Sequence, residues 1–260
     1  IVNKKLRFVN RRSSKGSLPC YIDVFDNHVF ATNYGSGSIA IFEIQANGSL
    51  SKPTELILHR GRGPITLRQK SPHPPQIFRV SNELIVPDLG TDCLNHYTFS
   101  PNGGLRKSRT TRIAPGCGPR HMALHPKLPV AYVVNELANT VTTLSWKKQI
   151  DTIQTCKTVP VEFAGSNSTA EIQISTSGDR IHVSNRGHNS IVTFSIDRDG
   201  RLREPGWNDC GGKNPRFCCL DPTEQWMLIA NQDTNDIAIF RLEDGRPHTL
   251  IKHESAPTPV

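Results

Sequence analysis

What this chain lacks narrows the field first. Its 260 residues hold no C-x-x-C pair, no G-x-S-x-G elbow and no apolar run of membrane-spanning length. No amphipathic basic helix is visible either, so no membrane partner is expected. The segment IVNKKLRFVNRR has no signal-peptide core and no initiating Met. The chain is therefore expected to be a fragment of a cytoplasmic protein. Seven cysteines (Cys20, Cys93, Cys117, Cys156, Cys210, Cys218, Cys219) make an odd set. On a strand, Cys218 and Cys219 point to opposite faces, so reduced thiols fit better than a metal site or a mutual disulfide. No Cys stands beside a recognisable His, so covalent catalysis is disfavoured and water activation by an acid–base group is the better expectation.

Charge is what the chain has in excess. Lys and Arg number 31 against 23 Asp and Glu, a formal net charge of +8. The basic residues are scattered, apart from modest clusters at Lys4–Arg12 and Arg106–Arg112. No nucleic-acid motif accompanies them, so nucleic acid is not an expected partner. Most of the excess reads as solvated surface, with attraction for an anionic small molecule next. Oligomeric state is left open.

A G-x-G-x-x-A spacing at Gly35, Gly37 and Ala40 raises a nicotinamide cofactor. That motif needs a helix after it. The β-branched and aromatic run Ile39-Ala40-Ile41-Phe42 follows instead, which favours a strand. The stretch is better explained by an internal repeat, and no cofactor is called for. NYGSGSIAIFEI recurs as DLGTDCLNHYTF, NELANTVTTLSW, NRGHNSIVTFSI and NQDTNDIAIFRL. Each unit begins at a polar anchor: Asn33, Asp88, Asn135, Asn185 or Asn231. An apolar residue stands six positions on, and a large one nine positions on.

The strands VFAT, LIVP, AYVV, IHVS and MLIA precede the anchors, and LPCYIDV, PQIFRV, RHMALHP, AEIQIS and RFCCLDP precede those. A fourth strand follows each Gly-containing turn, as in NGSLSKPTELIL. Four short strands per unit of about 40–50 residues, without helical periodicity, are the mark of a β-propeller blade. The fold class is all-β: one propeller domain over residues 1–260, with five blades visible. A stray strand at KLRFVN and the start of another near APTPV are also expected. A closed five-bladed ring and a piece of a larger ring both fit. The anchors read as Asx-type residues bonding the hairpin backbone. Gly37, Asp92, Asn139, Asn189 and Asn235 share one turn position, where residues that tolerate left-handed backbone gather.

Propeller geometry gathers particular side chains. His73, Arg120, His121, Glu171 and Arg216 fall at the starts of innermost strands, and Glu136 and Arg186 follow anchors at the ends of second strands. All seven are expected at one mouth of the channel, with Tyr34 in the position of Glu136 and Arg186. Three Arg, two His and two Glu would make a cation-rich pocket for an anionic ligand. The plainer alternative is a set of ion pairs closing the channel. Because other repeats carry unlike residues there, the ligand site is the preferred reading. His121 and His125 would lie about 13 Å apart along a strand at roughly 3.3 Å per residue, too far to share one metal ion.

The blocks HRGRGPITLRQKSPHPPQ, VPDLGTD, GCGPRHMALHPKLPVAYVVNEL, AEIQIS, SNRGHNSIVTFSID, NPRFCCLDP and LIANQDTNDIAIFRL resemble the propeller lactonase family. Its members include 6-phosphogluconolactonases and fungal 3-carboxy-cis,cis-muconate lactonizing enzymes. The resemblance implies a seven-bladed fold with the first two blades missing here, and activity without an obligatory metal. It implies catalytic roles for His73, Arg120, Glu136 and Arg186, leaving His121, Glu171, Arg216 and Tyr34 for substrate binding. The implied reaction is hydrolysis of 6-phosphoglucono-1,5-lactone in the cytosolic pentose phosphate route. Carboxymuconate cycloisomerisation and a non-catalytic binding module are the alternatives. One departure stands out: Pro75 occupies the place of the family's second His in P-H-x-H-Q.

Overall fold

The computed structural model describes residues 7–100 and 104–259. All regular structure among them is β, and no helix among them is long and apolar enough to cross a membrane. Two compact units divide the chain, Ile1–Gly118 and Pro119–Val260. Unit 1 holds two four-stranded sheets: β1 (Pro19–Phe25), β2 (His28–Asn33), β3 (Ser38–Glu43) and β4 (Glu55–Leu58), then β5 (Phe78–Val80), β6 (Glu83–Asp88), β7 (Cys93–Phe99) and β8 (Leu105–Arg112).

Unit 2 holds three sheets. They are β9 (Pro119–Leu124), β10 (Val130–Asn135), β11 (Thr140–Trp146) and β12 (Ile150–Lys157); β13 (Ser168–Ile174), β14 (Arg180–Arg186), β15 (Ser190–Ile196) and β16 (Leu202–Asp209); and β17 (Pro215–Leu220), β18 (Trp226–Asn231), β19 (Asp236–Glu243) and β20 (Arg246–Ser255). Every sheet is an antiparallel meander in chain order.

Burial follows from sheets stacked face to face. Second strands such as β2 and β10 are buried at every position, whereas β8 and β20 are mostly exposed. In unit 2, Tyr132 and Val134 of β10 pack with Ile172, Ile181 and Phe194 of the next sheet. Ile191 of that sheet in turn shares a cluster with Cys218, Met227 and Phe240. In unit 1, Phe30, Ile39 and Ile41 meet Ile77, Leu84 and Tyr97. All seven cysteines are free thiols.

The shared turn position is left-handed in every repeat, with φ of 62° at Gly37, 52° at Asp92, 54° at Asn139 and 56° at both Asn189 and Asn235. Where a side chain exists there, it catches the chain entering the following segment. Asp92 accepts from the amides of Gly116 and Gly118, and Asn139 Oδ1 from Asn167 Nδ2. Asn189 Oδ1 accepts from the Asn214 amide, and Asn235 Oδ1 from the Thr258 amide. Gly37 differs because a Cβ there would lie 2.8 Å from the Pro72 carbonyl oxygen.

Four expectations need correction. Residues 7–10 of the proposed KLRFVN strand are irregular, while Lys5 and Leu6 lie outside the described residues. Residues 256–259 of APTPV are likewise not a strand, and Val260 lies outside the described residues. The innermost strand of the second sheet starts at Phe78, so His73 precedes it. Pro72, Pro74 and Pro75 lack the amide hydrogens a strand ladder needs. Lastly, Asp88 bonds the hairpin backbone as expected, accepting from the Gly90 amide, but the four asparagine anchors do not. Their Nδ2 groups donate to the side chain five residues on, at Ser38, Thr140, Ser190 and Asp236. Three of them also donate to a preceding-segment carbonyl, that of Ser14, Thr158 or Cys210.

Candidate active site

A repeated irregularity places the polar side chains of unit 2. Near the start of β9, β13 and β17 the pairing with the second strand slips by one residue. Arg120 and His121 stand opposite Val134 alone, Ala170 and Glu171 opposite Ser184 alone, and Arg216 is the extra residue between Pro215 and Phe217. Two residues facing one is a β-bulge, which bends the strand and re-aims its side chains. The slip falls just beyond Thr169, the last regular pair before it, and includes Ala170.

Guanidinium groups take up the carbonyls of both residues. Arg120 Nη1 donates to the Ala170 oxygen at 2.6 Å, and Arg186 Nη2 to the Thr169 oxygen at 3.1 Å. Both arginines also converge on one atom. Oε2 of Glu136 lies 3.3 Å from Arg120 Nε and 3.0 Å from Arg186 Nη2. Arg120 and Glu136 are buried, at 8% and 5% exposure. Each cation is thus fixed at two points, by a carboxylate and by a strand carbonyl.

His121 and Glu171 form the neighbouring pair. His121 Nδ1 lies 3.1 Å from each carboxylate oxygen of Glu171. Arg120 Nη1 sits 3.2 Å from both ring nitrogens of His121. An in-plane atom equidistant from both would collide with Cε1, so Nη1 lies over the ring face. Burial opposes ionisation of Glu171. The charge and hydrogen bond of His121, the charge of Arg120 and the Ile172 amide outweigh it, holding the carboxyl below its ordinary range.

Five of the residues singled out by sequence, Arg120, His121, Glu136, Glu171 and Arg186, are therefore one connected network in unit 2. Arg216 is half-buried at its bulge and makes no hydrogen bond or ion pair among the described residues. His73 and Tyr34 belong to unit 1 and form their own pair. Their rings stack at 4.6 Å with planes 17° apart, and His73 Nδ1 lies 2.8 Å from the Tyr34 carbonyl oxygen. A carbonyl only accepts, so Nδ1 carries the hydrogen and Nε2 keeps its lone pair in the neutral ring. No group of three or more His, Cys, Asp or Glu among the described residues is arranged to hold a metal ion.

Two features escaped the sequence reading. Unit 1 contains a buried His59–Asp88 pair, whose signal was an Asp standing where four repeats have Asn. Unit 2 contains a cleft of about 520 Å³ at the opposite ends of the strands, lined by residues that include Asp179, Arg180, His182, Glu224 and Asp244. It is separate from the Arg120–Glu136–Arg186 network, which lies at the other strand ends.

Comparison with known proteins gives this geometry its context. Residues 2–260 match the family model described as lactonase, seven-bladed β-propeller. A 6-phosphogluconolactonase of Bacillus subtilis is 34% identical, over 98% of this chain and 76% of that protein. One from Formosa agariphila is 31% identical over 96% of this chain and 76% of its own length. Among solved structures, the periplasmic gluconolactonase of Pseudomonas aeruginosa superposes with a TM-score of 0.89 at 25% identity, covering 95% of this chain and 73% of that one. Five four-stranded meanders, a family match over nearly the whole chain and relatives of this similarity lead to one assignment: the chain belongs to the seven-bladed β-propeller lactonase family.

Proposed function

We propose that this chain hydrolyses an anionic sugar lactone, with 6-phosphoglucono-1,5-lactone as the leading substrate. The observation that carries the reading is the convergence of Arg120 and Arg186 on Glu136 Oε2. Burying three charges together costs desolvation, and such triads are often no more stable than an apolar packing of the same volume. A substrate that develops negative charge supplies the reason to keep them. Water adds to the lactone carbonyl, the carbonyl oxygen becomes an oxyanion, and the ring oxygen leaves with a proton. Fixed guanidinium groups stabilise that oxyanion without reorganising during the reaction.

The family resemblance offers two candidates, Glu136 and His73, for taking the proton of the attacking water. Glu136 has Oε2 committed to two cations, which suits a counter-ion. His73 donates through Nδ1 and offers Nε2 as an acceptor. The proposal therefore gives water activation to His73 and the ordering of both arginines to Glu136. His121 and Glu171 steady Arg120, and Arg216 adds positive charge. A cytoplasmic place in the pentose phosphate route belongs to the same proposal.

The test is hydrolysis of 6-phosphoglucono-1,5-lactone and of the uncharged glucono-1,5-lactone, each corrected for the rate in buffer. Arg186→Gln is expected to lower kcat/KM by about 10²–10³, the range seen on losing one oxyanion donor. The phosphorylated lactone is expected to be preferred. Wild-type rates no faster than buffer, or an unaffected Arg186→Gln variant, would end this reading.

A further inference from the structure

Four of the five repeat anchors are asparagine, and the fifth is Asp88. The asparagines use Nδ2 as a donor toward the residue five positions on. An ionised carboxylate has no hydrogen to give. Asp88 instead turns one oxygen to each side. Its Oδ1 accepts from the backbone amides of His73 at 2.9 Å and Gly90 at 3.0 Å. Its Oδ2 lies 2.6 Å from His59 Nδ1, in a pair whose side chains are 2% and 0% exposed.

Asp88 only accepts, so His59 Nδ1 carries a hydrogen, and Nε2 of the neutral ring accepts from the Tyr97 hydroxyl 2.9 Å away. Burial, reinforced by the charge of Asp88, pushes the Tyr97 hydroxyl well up, so it keeps its proton. The chain Tyr97–His59–Asp88 ends on the His73 backbone. That residue is held further by the Leu89 amide donating to its carbonyl at 3.1 Å and by its own Nδ1 on Tyr34.

We propose that Asp88 and His59 are positioning residues that hold the His73 imidazole with Nε2 presented as its proton acceptor. The inference rests on the reading of His73 as the group that activates water. A buried polar pair with no further purpose is the plainer account. It leaves unexplained why the departure from asparagine falls in the one repeat whose entering segment carries His73. It also leaves unexplained why the second carboxylate oxygen is occupied by a buried histidine.

The experiment uses the whole chain with Asp88→Ala, Asp88→Asn and His59→Gln. Readouts are kcat and KM for lactone hydrolysis and the side-chain ¹⁵N spectrum of His73. Asp88→Ala is expected to lower kcat about tenfold to hundredfold, with KM within about threefold, as for a displaced reacting group. Asp88→Asn restores an acceptor for the His73 amide and is the residue of the sister repeats, so it is expected to recover most of that loss. The wild-type spectrum should show the Nδ1–H tautomer of His73, and Asp88→Ala a mixture. A folded Asp88→Ala protein with kcat within twofold of wild type and an unchanged His73 spectrum overturns the proposal. Should Asp88→Ala fail to fold, His59→Gln decides in the same way. If the wild type hydrolyses no lactone, or His73→Asn matches it, the water-activation reading fails. The ¹⁵N spectra then still decide whether Asp88 and His59 hold the imidazole.

Discussion

Glu136 Oε2 and Arg186 Nη2 stand 3.0 Å apart, and Arg120 Nε approaches the same oxygen at 3.3 Å. Glu136 is therefore the electrostatic centre of the unit 2 network. Replacing it by glutamine keeps the shape and removes the carboxylate charge that buried Arg120 and half-buried Arg186 share. Breaking a buried ion pair from one side costs about 3–5 kcal/mol. Glu136→Gln is expected to lose about 3 kcal/mol in urea unfolding, with its m-value unchanged. A loss below about 0.5 kcal/mol would show that solvent or other groups already neutralise the arginines.

The neighbouring pair gives an acid-side prediction. Against the cost of burial, His121, Arg120 and the Ile172 amide hold Glu171 below its ordinary value of 4.5 in the folded state. Between the folded and unfolded values the unfolded chain binds the extra proton, so stability rises with pH there. This contribution is complete above about pH 4.5 and is lost as pH falls through the folded value. Unfolding free energies measured from pH 3 to 6 should fall less steeply on acidification for Glu171→Gln than for wild type. Parallel curves would remove Glu171 from the acid response.

Much of this was legible because strand periodicity and turn chemistry agree in every repeat. Asn139, Asn189, Asn235 and Asp92 occupy one position and adopt one backbone conformation, so their phase located the hairpins. The same phase placed Arg120, Glu136, Glu171 and Arg186 at matching strand ends. The bulges were not legible, because a slip in pairing depends on backbone register and leaves no residue type behind. That is why the Thr169 and Ala170 carbonyls, the second anchor of each arginine, went unseen. The four asparagine anchors misled for a related reason. Asx chemistry describes what asparagine does locally, whereas these amides reach a strand five residues on and a preceding segment. His73 fell outside its expected strand because three prolines around it outweighed the repeat.

His182 offers a second titration, separate from the arginine network. It lines the cleft of unit 2 yet is 1% exposed, and its Nδ1 lies 2.9 Å from Thr193 Oγ1. Burial, then the charges of Arg180 and Arg246, lower its pKa to about 4 from 6.5. The unfolded chain therefore takes up a proton between those values while the folded one does not. Stability falls as pH drops through this window. An NMR titration should find the His182 ring neutral at pH 5.5, and His182→Gln should flatten the stability curve between pH 6.5 and 4. A ring that titrates near its ordinary value would show that the cleft admits enough water to solvate the cation.

The left-handed turns give a final test that separates backbone strain from side-chain latching. Asn189 has φ of 56°, and its Oδ1 accepts from the Asn214 amide at 3.0 Å. Alanine there meets a conformation that costs about 1–2 kcal/mol and forfeits a hydrogen bond of about 1 kcal/mol. Asn189→Ala is expected to lose about 2–3 kcal/mol. Asn189→Gly relieves the strain and forfeits only the latch, so its loss should be about 1 kcal/mol. At Gly37 the order of effects changes. Any Cβ there would sit 2.8 Å from the Pro72 carbonyl oxygen, so strain and collision add. Gly37→Asn, although it installs the residue three sister repeats use, should destabilise more than Asn189→Ala does. Equal stability of Gly37→Asn and wild type in chemical unfolding would mean that the Pro72 segment yields, and that close approach does not select glycine at this turn.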